Sequence, residues 1–541
     1  MNLRHWALAP LAATILAGAA PAQPRAELQA SADRVRAHVE FLADDLLEGR
    51  GTGTRGHELA ALYVASRFRG LGLRPAGDNG GWYQRVPFRR AAHEGTPAVT
   101  LTLGGRATAL RWGSDVSLRP SLRERQQSLR TELVFAGYGI RDRALGVDDF
   151  RGLDVRGKTL VVFAGTPAGL DSEVAAHLAS QKPEMAAAAG AIGLIEIPLQ
   201  PNGPSRLGQY ARGQTVDWVA RQAAGTAPPE LSLRMAVSEQ VAARLFTGAP
   251  ATLAQVRAQA AARGARPAGF ALPASLSVQA AARWEDFSSP AVLGMIPGSD
   301  PRLASEYVLL TGHLDHNGIK RDAKPGEDAI YNGALDNAAG IATMLEAARQ
   351  FRESGSRPRR SVLFIAHTAE ELGLLGADYW AAHPTVPVSQ VVAAVNLDMP
   401  VPLYQFSDVV AFGADHSTVA RTVAEAGRTM GIGVSPDPMP EQSIFVRSDH
   451  YPLARRGIPA ILLFTGYGNG GKPIWEKFFA ERYHSVRDDL SQPILWDAAA
   501  RYAELNYRIA RRLADDPQRP RWYQGSYFGE AFAPGQPKAA R

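Results

Sequence analysis

Two adjacent carboxylates, Glu370 and Glu371, stand in the stretch SVLFIAHTAEELGLLGADYW, Ser361–Trp380. The apolar, β-branched run Val362–Ala366 stops at a polar turn, the pair sits in that turn, and a glycine-spaced helical pattern follows. Neighbouring side chains on an irregular turn point apart, so one carboxylate can bind a metal while the other stays free as a base. In open α/β sheets, ligands gather at the carboxyl ends of the strands, which is where this pair falls. A Glu-Glu pair at a helix start is also what the helix dipole favours without any function. The decision rests on residues elsewhere.

His313 and Asp315 (GHLDH) follow the strand-like run Tyr307–Thr311. Asp336 (GALDNAAG) stands before a helical pattern, Asp398 (NLDM) follows Val391–Val395, and His484 (RYHSVRDD) lies in a loop before the last helix. Each has a plain reading alone: an Asp before a helix is commonly an N-cap, and a lone His is commonly a core or surface residue. Their joint occurrence argues otherwise, since seven of the twelve histidines fall between His313 and His484 and the apolar strands end in carboxylates. With Asp315 set aside as a supporting group, His313, Asp336, Glu371, Asp398 and His484 form a set of two imidazoles and three carboxylates. That mix suits Zn²⁺ or a similar divalent ion. One ion needs three or four of these ligands, so five point to two ions with one carboxylate bridging. The chain has no cysteine, which removes thiolate ligands, thiolate nucleophiles and disulfides together.

The elements that must position these residues alternate from Ser288 onward. Strand-like segments are Ala291–Ile296, Tyr307–Thr311, Ser361–Ala366, Val391–Val395, Val409–Phe412 and Ala460–Phe464. Helical segments are Ala338–Phe351, Leu372–Ala382, Ser417–Met430 and Trp496–Leu513. This texture predicts an α/β fold, a mostly parallel mixed sheet with helices on both faces. Two helical stretches, Leu28–Leu47 and Leu59–Leu71, come earlier. Between these helices and Ser288, residues 121–285 read as a small inserted α/β unit with strands Glu132–Tyr138, Lys158–Ala164 and Ile192–Ile197, an Ala-rich helix Lys182–Ala189, and no metal-type residues at useful spacing. The expected division is 1–22 leader, 23–120 first part of the main domain, 121–285 insert, 286–515 catalytic domain and 516–541 tail.

The leader, MNLRHWALAPLAATILAGAAPAQ, has a positive start at Arg4, a short apolar run and a small-residue cleavage site at Ala20-Pro21-Ala22. It predicts a periplasmic or secreted protein with no lipid-bearing cysteine. A membrane span needs about 20 apolar residues, and none follows. The formal net charge of +6 over 541 residues comes from scattered Arg without interleaved aromatic clusters, which argues against nucleic acid as a partner.

The ordered elements GHLDH, YNGALDNAAG, TAEELGLLGADYW, NLDM, RSDHYP and RYHS resemble the M28 family of co-catalytic zinc metallopeptidases. The likeness covers LADDLLEGRGTGTRGHELAALYVASRF and all of Ser288–Leu513, and LVFAGYGIRD with GLDVRGKTLVVFAG is similar to a protease-associated (PA) domain. The resemblance implies a zinc exopeptidase fold with two zinc ions and peptide or protein substrates; cobalt or manganese would suit the same ligands. It implies that His313 and Asp398 hold one zinc, Glu371 and His484 the other, and Asp336 bridges them. Glu370 matches the general base that takes a proton from the zinc-activated water, Asp315 the carboxylate that orients His313, and Tyr483 a position that helps stabilise the oxyanion. His316 departs from the family pattern, since it follows the usual His-x-Asp.

Other motifs carry less. Ser448, Asp449 and His450 are serine-triad residue types, but three consecutive residues cannot form the relay; they are expected to shape the pocket wall or a loop. Gly51-x-Gly53-x-x-Gly56 follows a helix rather than a strand, and Gly466-x-Gly468-x-x-Gly471 runs into Lys472-Pro473, so neither predicts a nucleotide site; the second is expected to line the active site. Aminopeptidase is the leading activity. A glutamate carboxypeptidase II-like enzyme would need an Arg cluster for a terminal carboxylate, a glutaminyl cyclase would use a single zinc, and a non-catalytic binding protein on this fold would have lost ligands.

Overall fold

The computed structural model describes residues 30–201, 203–219 and 231–541, and the leader lies outside them. Four parallel strands form the centre: Ser361–His367, Tyr307–His313, Val391–Asn396 and Ala460–Thr465, neighbours in that order. Leu309 stands opposite Leu363 on one side and Ala394 on the other. All but one of their residues are buried, which is why they read as continuous apolar runs rather than alternating ones. Antiparallel strands flank them. Val292–Ile296 pairs with the Ser361 strand, and Asp408–Phe412 pairs with the Ala460 strand and carries Gly433–Ser435 outside it. The sheet is mixed, with helices on both faces.

On one face, helices Ala339–Glu353 and Trp496–Asp515 pack against each other, and Ala32–Leu42 lies across both. Val35, Val39 and Leu42 supply its buried stripe. Its start is tied down by charge, with the Ala30 and Ser31 N–H groups donating to Glu504 and Glu346 at 2.9 and 2.8 Å. On the other face lies helix Leu375–Ala382. A Cβ on its Gly376 would fall 1.8 Å from the Thr368 carbonyl oxygen, so only glycine lets this helix start directly against the end of the Ser361 strand. The turn holding Glu370 and Glu371 is squeezed between the two.

A second sheet, outside the first, contains Gln126–Phe135, Thr159–Phe163, Gly193–Ile197 and Leu233–Val237, paired in parallel in that order. Two differences from the sequence reading concern its limits. Strands Ala98–Leu103 and Val116–Leu118, placed by sequence in the main domain up to residue 120, pair into this second sheet. The expected end near residue 285 is no linker: one strand, Phe270–Ile296, runs through both sheets, pairing with Gln126–Phe135 first and with Tyr83–His93 next. A pattern of alternating residues identifies a strand but not its partner, and polar residues at 280–286 were strand residues with one exposed face.

The second unit is docked against the first through helix Ser172–Ala188. His177 Nδ1 lies 2.6 Å from the Tyr451 hydroxyl, and Arg455 pairs with Glu184 at 3.1 Å. The C-terminal segment completes the seam: Trp522 and Phe528 are buried, and the Tyr527 hydroxyl donates to Asp142 at 2.7 Å. No helix among the described residues is long and apolar enough to cross a membrane.

Candidate active site

The structure brings all eight of the sequence-predicted residues to the carboxyl ends of the parallel strands. His313 ends its strand, Glu370 and Glu371 follow His367, and Asp398 follows Asn396. Asp336 arrives from the segment leading into helix Ala339–Glu353, and His484 from the loop after helix Gly471–Glu481. His313 Nε2 lies 3.2 Å from Asp398 Oδ1 and 3.3 Å from Asp336 Oδ1. His484 Nε2 lies 3.3 Å from Asp336 Oδ2 and 3.2 Å from Glu371 Oε2. Two donors bound to one zinc at about 2.05 Å in tetrahedral geometry stand about 3.3 Å apart. All four separations match, so the residues present fit two divalent ions, with one Asp336 oxygen turned to each.

Local backbone strain aims these side chains. Ala369, Met399 and His484 have φ of 59°, 46° and 51°. Each is a non-glycine residue in the left-handed region, a cost of about 1 kcal/mol or more that the surrounding structure must offset. Ala369 precedes Glu370, Met399 follows Asp398, and His484 is itself a donor.

The supporting shell differs from expectation at one point and adds residues the sequence did not single out. The carboxylate of Asp315 does not meet the His313 ring. His313 Nδ1 instead faces the Asp315 backbone carbonyl at 3.0 Å, while the Asp315 carboxylate accepts from the Glu370 N–H at 3.1 Å and the Thr52 hydroxyl at 2.9 Å. The chain curls after His313, so its own carbonyl reaches the ring and the carboxylate is free to span to the next strand end. The consequence for His313 is the same, since a proton held on Nδ1 leaves the Nε2 lone pair free for an ion. Asp488 accepts from the N–H groups of Leu335 and Asp336 at 3.1 and 2.9 Å. Asn337 donates to Leu397 O at 2.9 Å and His313 O at 3.2 Å, knitting three loops. Ser448 donates to Asp398 Oδ2 at 2.6 Å and accepts from Asn396 at 2.6 Å. Arg50 is buried and donates to the carbonyls of Leu314, Asn332, Gly333 and Leu42.

These supports left faint traces. Arg50 sits within the GRGTGTRG segment, where the glycines drew attention. Asp488 is in RYHSVRDD beside His484, and Asn337 directly follows Asp336. The glycine-rich segment after Thr465 does not line the site. Gly468 N–H bonds Asp408 at 2.9 Å, and a Cβ on Gly466 would fall 2.1 Å from the Asp408 carboxylate. The chain beyond it does line the site, through Phe479 and Tyr483.

Carboxylates dominate the electrostatics. Burial pushes Glu370 well above the ordinary carboxylate range; His313 opposes the shift, while Glu371 and Asp398 reinforce it. Burial also drives Asp449 up to about 8, with His313 opposing and Asp398 and Asp315 adding to it. Asp336 goes the other way: burial would raise it, but His316, His313 and His484 hold it well below the usual value. Burial disfavours the charged form of His313, yet Asp398, Glu370 and Asp336 raise it well above its ordinary value. A buried cluster with this many carboxylates is a site that cations stabilise.

A pocket opens beside the Asp398 side of the site. Met399, Ile444, Leu462, Phe464 and Phe479 give it apolar walls, and Arg447 and Tyr483 stand at its edge. Arg447 donates to the Tyr483 hydroxyl at 3.3 Å and to Gln442. Burial pushes the Tyr483 phenol upward, with Asp336 adding and Arg447 opposing, so its O–H stays a donor. The Tyr483 ring stacks on His484 at 3.8 Å between centroids.

The α/β sheet thus carries at its strand ends clustered imidazoles and carboxylates of the kind that could hold a metal ion. Residues 291–510 match the family model of peptidase family M28. Leupeptin-inactivating enzyme 1 of Streptomyces exfoliatus is 32% identical over 177 residues, 31% of this chain and 34% of that protein. Probable glutamate carboxypeptidase VP8 of Zea mays is 26% identical over 256 residues, 43% of this chain and 32% of that protein. The chain thus spans about a third of the length of these curated relatives. Among solved structures, the aminopeptidase from Aneurinibacillus sp. strain AM-1 has the same fold, with a TM-score of 0.50 at 19% identity, covering 91% of this chain and 95% of that one.

Proposed function

We propose that this chain is an exported dinuclear zinc exopeptidase that releases N-terminal residues from peptides. One observation carries the reading: Asp336 turns one oxygen to His313 and the other to His484, each at 3.3 Å, so a single carboxylate serves two donor sets. His313 and Asp398 complete one set, and Glu371 and His484 the other.

When bound, a pair of divalent ions supplies Lewis acidity toward the scissile carbonyl and the attacking water. The protein's own residues do the rest. Glu370 takes the proton of the attacking water, a task its raised proton affinity suits, and passes it to the leaving amine. The Asp315 bond to the Glu370 N–H holds that carboxylate at the strand end. Tyr483, its hydroxyl steered by Arg447, donates toward the oxyanion. The apolar wall of Met399, Ile444, Leu462, Phe464 and Phe479 stands where the side chain of the residue released would lie, so apolar N-termini are preferred over charged ones. Anionic groups around the site attract the free α-amino group. The carboxypeptidase reading would use Arg447, but that is one exposed cation already bonded to Gln442 and Tyr483. The outer unit is read as a PA-like insert.

The test is hydrolysis of one peptide in free, N-acetylated and C-amidated forms, read by mass spectrometry. Loss of N-terminal residues from the free and amidated forms alone is the expected result. Trimming from the C-terminus that survives acetylation would replace it with the carboxypeptidase reading. Glu370→Gln should retain both ions and lose about 10²–10⁴-fold in kcat. A fully metallated wild-type protein that cleaves nothing would leave a binding role.

A further inference from the structure

His316 is the one ionisable residue at the metal-type cluster that departs from the expected pattern, and it is fully enclosed, with a side-chain exposure of 0%. Its ring is clamped: a Cβ on Gly333 would lie 2.6 Å from its Cδ2, and Gly333 itself has φ of 56°. Its N–H bonds the carbonyl of the buried Arg50 at 3.3 Å. Nδ1 lies 2.6 Å from Glu371 Oε1 and 4.0 Å from Asp336 Oδ2. Nε2 is buried with no hydrogen-bond partner among the described residues.

Two roles compete, and the distances separate them. Donors sharing one zinc at about 2.05 Å stand about 2.9 Å apart at right angles and about 3.3 Å apart in a tetrahedron. The 2.6 Å contact to Glu371 is too short for that and the 4.0 Å contact to Asp336 too long for a tetrahedral neighbour, whereas 2.6 Å lies within about 0.1 Å of the roughly 2.7–2.9 Å span of a charge-assisted N–H···O⁻ bond. The second nitrogen agrees. A proton on Nδ1 leaves Nε2 as a bare lone pair, which a dry pocket tolerates better than an unpaired N–H.

We propose that His316 is a positioning residue that donates from Nδ1 to Glu371 Oε1, occupying that oxygen and leaving Oε2 as the single donor turned to the second metal position. The proposal rests on the dinuclear reading above. It explains why Glu371 faces His484 through Oε2 at 3.2 Å while its other oxygen is engaged elsewhere. It also makes the two positions unequal, since Asp398 is held by a serine hydroxyl and Glu371 by an imidazole.

The experiment uses the full chain and compares wild type with His316→Ala and His316→Asn, because an Asn Nδ2–H stands where the imidazole Nδ1–H stood. Zn²⁺ affinities are measured by chelator competition, and visible spectra are taken of the Co²⁺-loaded proteins. His316→Ala is expected to weaken one of two ions about 10–100-fold, and His316→Asn to restore it to within about threefold of wild type with an unchanged Co²⁺ spectrum. A Co²⁺ spectrum altered in His316→Asn would make His316 a ligand and overturn the proposal. Equal affinities in all three proteins would overturn it too, as would equal weakening of both ions with a lowered melting temperature of the metal-free protein, which marks a merely structural residue. Wild type taking up fewer than two ions would instead bring down the dinuclear reading, and this proposal with it.

Discussion

Replacing Ser448 by alanine removes one oxygen and separates two readings of the same residue. The hydroxyl is buried, donates to Asp398 Oδ2 at 2.6 Å and accepts from Asn396 at 2.6 Å. A hydrogen bond to a charged group contributes about 1.5–3 kcal/mol. If all of that bond serves to orient Asp398 toward His313, Ser448→Ala weakens the first ion about 10–150-fold, since 1.36 kcal/mol is a tenfold change. An opposing effect exists: the bond draws charge from the carboxylate, and losing it makes Asp398 the better donor. Orientation wins here because Oδ1 faces His313 only while Oδ2 is anchored, and loss of comparable supporting bonds elsewhere costs 10–100-fold in affinity. The assay is chelator competition for Zn²⁺, followed by kcat at saturating zinc. The expected result is a weakened first ion and a kcat within about threefold of wild type once both positions are filled. Unchanged zinc affinity would refute the orientation argument. Loss of kcat with both ions bound would refute more, since it would give the Ser448 hydroxyl a part in the chemistry itself.

Two further perturbations test the frame around the site. Arg50→Met strips hydrogen bonds from the buried carbonyls of Leu42, Leu314, Asn332 and Gly333; at about 1–3 kcal/mol for each unpaired group, urea unfolding of the metal-free protein should show a loss of more than about 3 kcal/mol. Arg50→Lys should recover only part of it, because an ammonium lacks the planar fork, and full recovery would contradict this account. His177 tests the seam between the two units: burial, with help from Arg455, lowers its pKa to about 4 from 6.5. Its folded form is neutral, so the unfolded chain takes up the proton first as pH falls. The stability it contributes is whole above pH 6.5 and is lost progressively toward pH 4, about 2 kcal/mol by pH 5. His177→Phe should flatten the pH dependence of the urea midpoint between pH 7 and 5; parallel profiles for the two proteins would refute the assignment.

What the sequence made legible follows from how each signal is encoded. The central strands announce themselves because burial on both faces demands continuous apolar runs, and His313, Glu371 and Asp398 stand at or just after the ends of such runs, while Asp336 precedes a helix and His484 follows one. Partners are encoded less directly. Ala98–Leu103 reads as a strand from its own alternation, but nothing local says that its neighbour is Ser275–Gln279 rather than a strand of the main sheet. Helix Ser172–Ala188 was visible only over Lys182–Ala189, because Pro183 inside it looks like a stop while Asp171 caps its true start. The Asp315 carboxylate was assigned by type, and only the backbone path shows that the carbonyl reaches His313 first. Arg50 and Asp488 were hidden for a related reason: they bond main-chain groups, and a partner of that kind has no side-chain signature in the chain.

That hidden layer explains how the ends of three strands and two loops can hold ion-binding distances to within a few tenths of an ångström. The donors lie on loops, and three of the loops are strained at or beside a donor, so side-chain preference alone would not keep them in place. Two of the strained turns are matched by a buried polar support, Asp315 on the Glu370 turn and Asn337 on the Leu397–Met399 turn through Leu397 O and the Met399 N–H, and Asp488 holds the Asp336 segment from beneath. Asp315, Asp449 and Asp488 are themselves fully buried carboxylates, so the frame adds negative charge where the donors already concentrate it. Such a cluster carries a standing desolvation cost in the metal-free chain, and divalent cations offset it. On the proposed dinuclear reading, ion uptake and folding of these loops are coupled through the same carboxylates, with Asp336 shared between the two positions and His313 and His484 on either side of it.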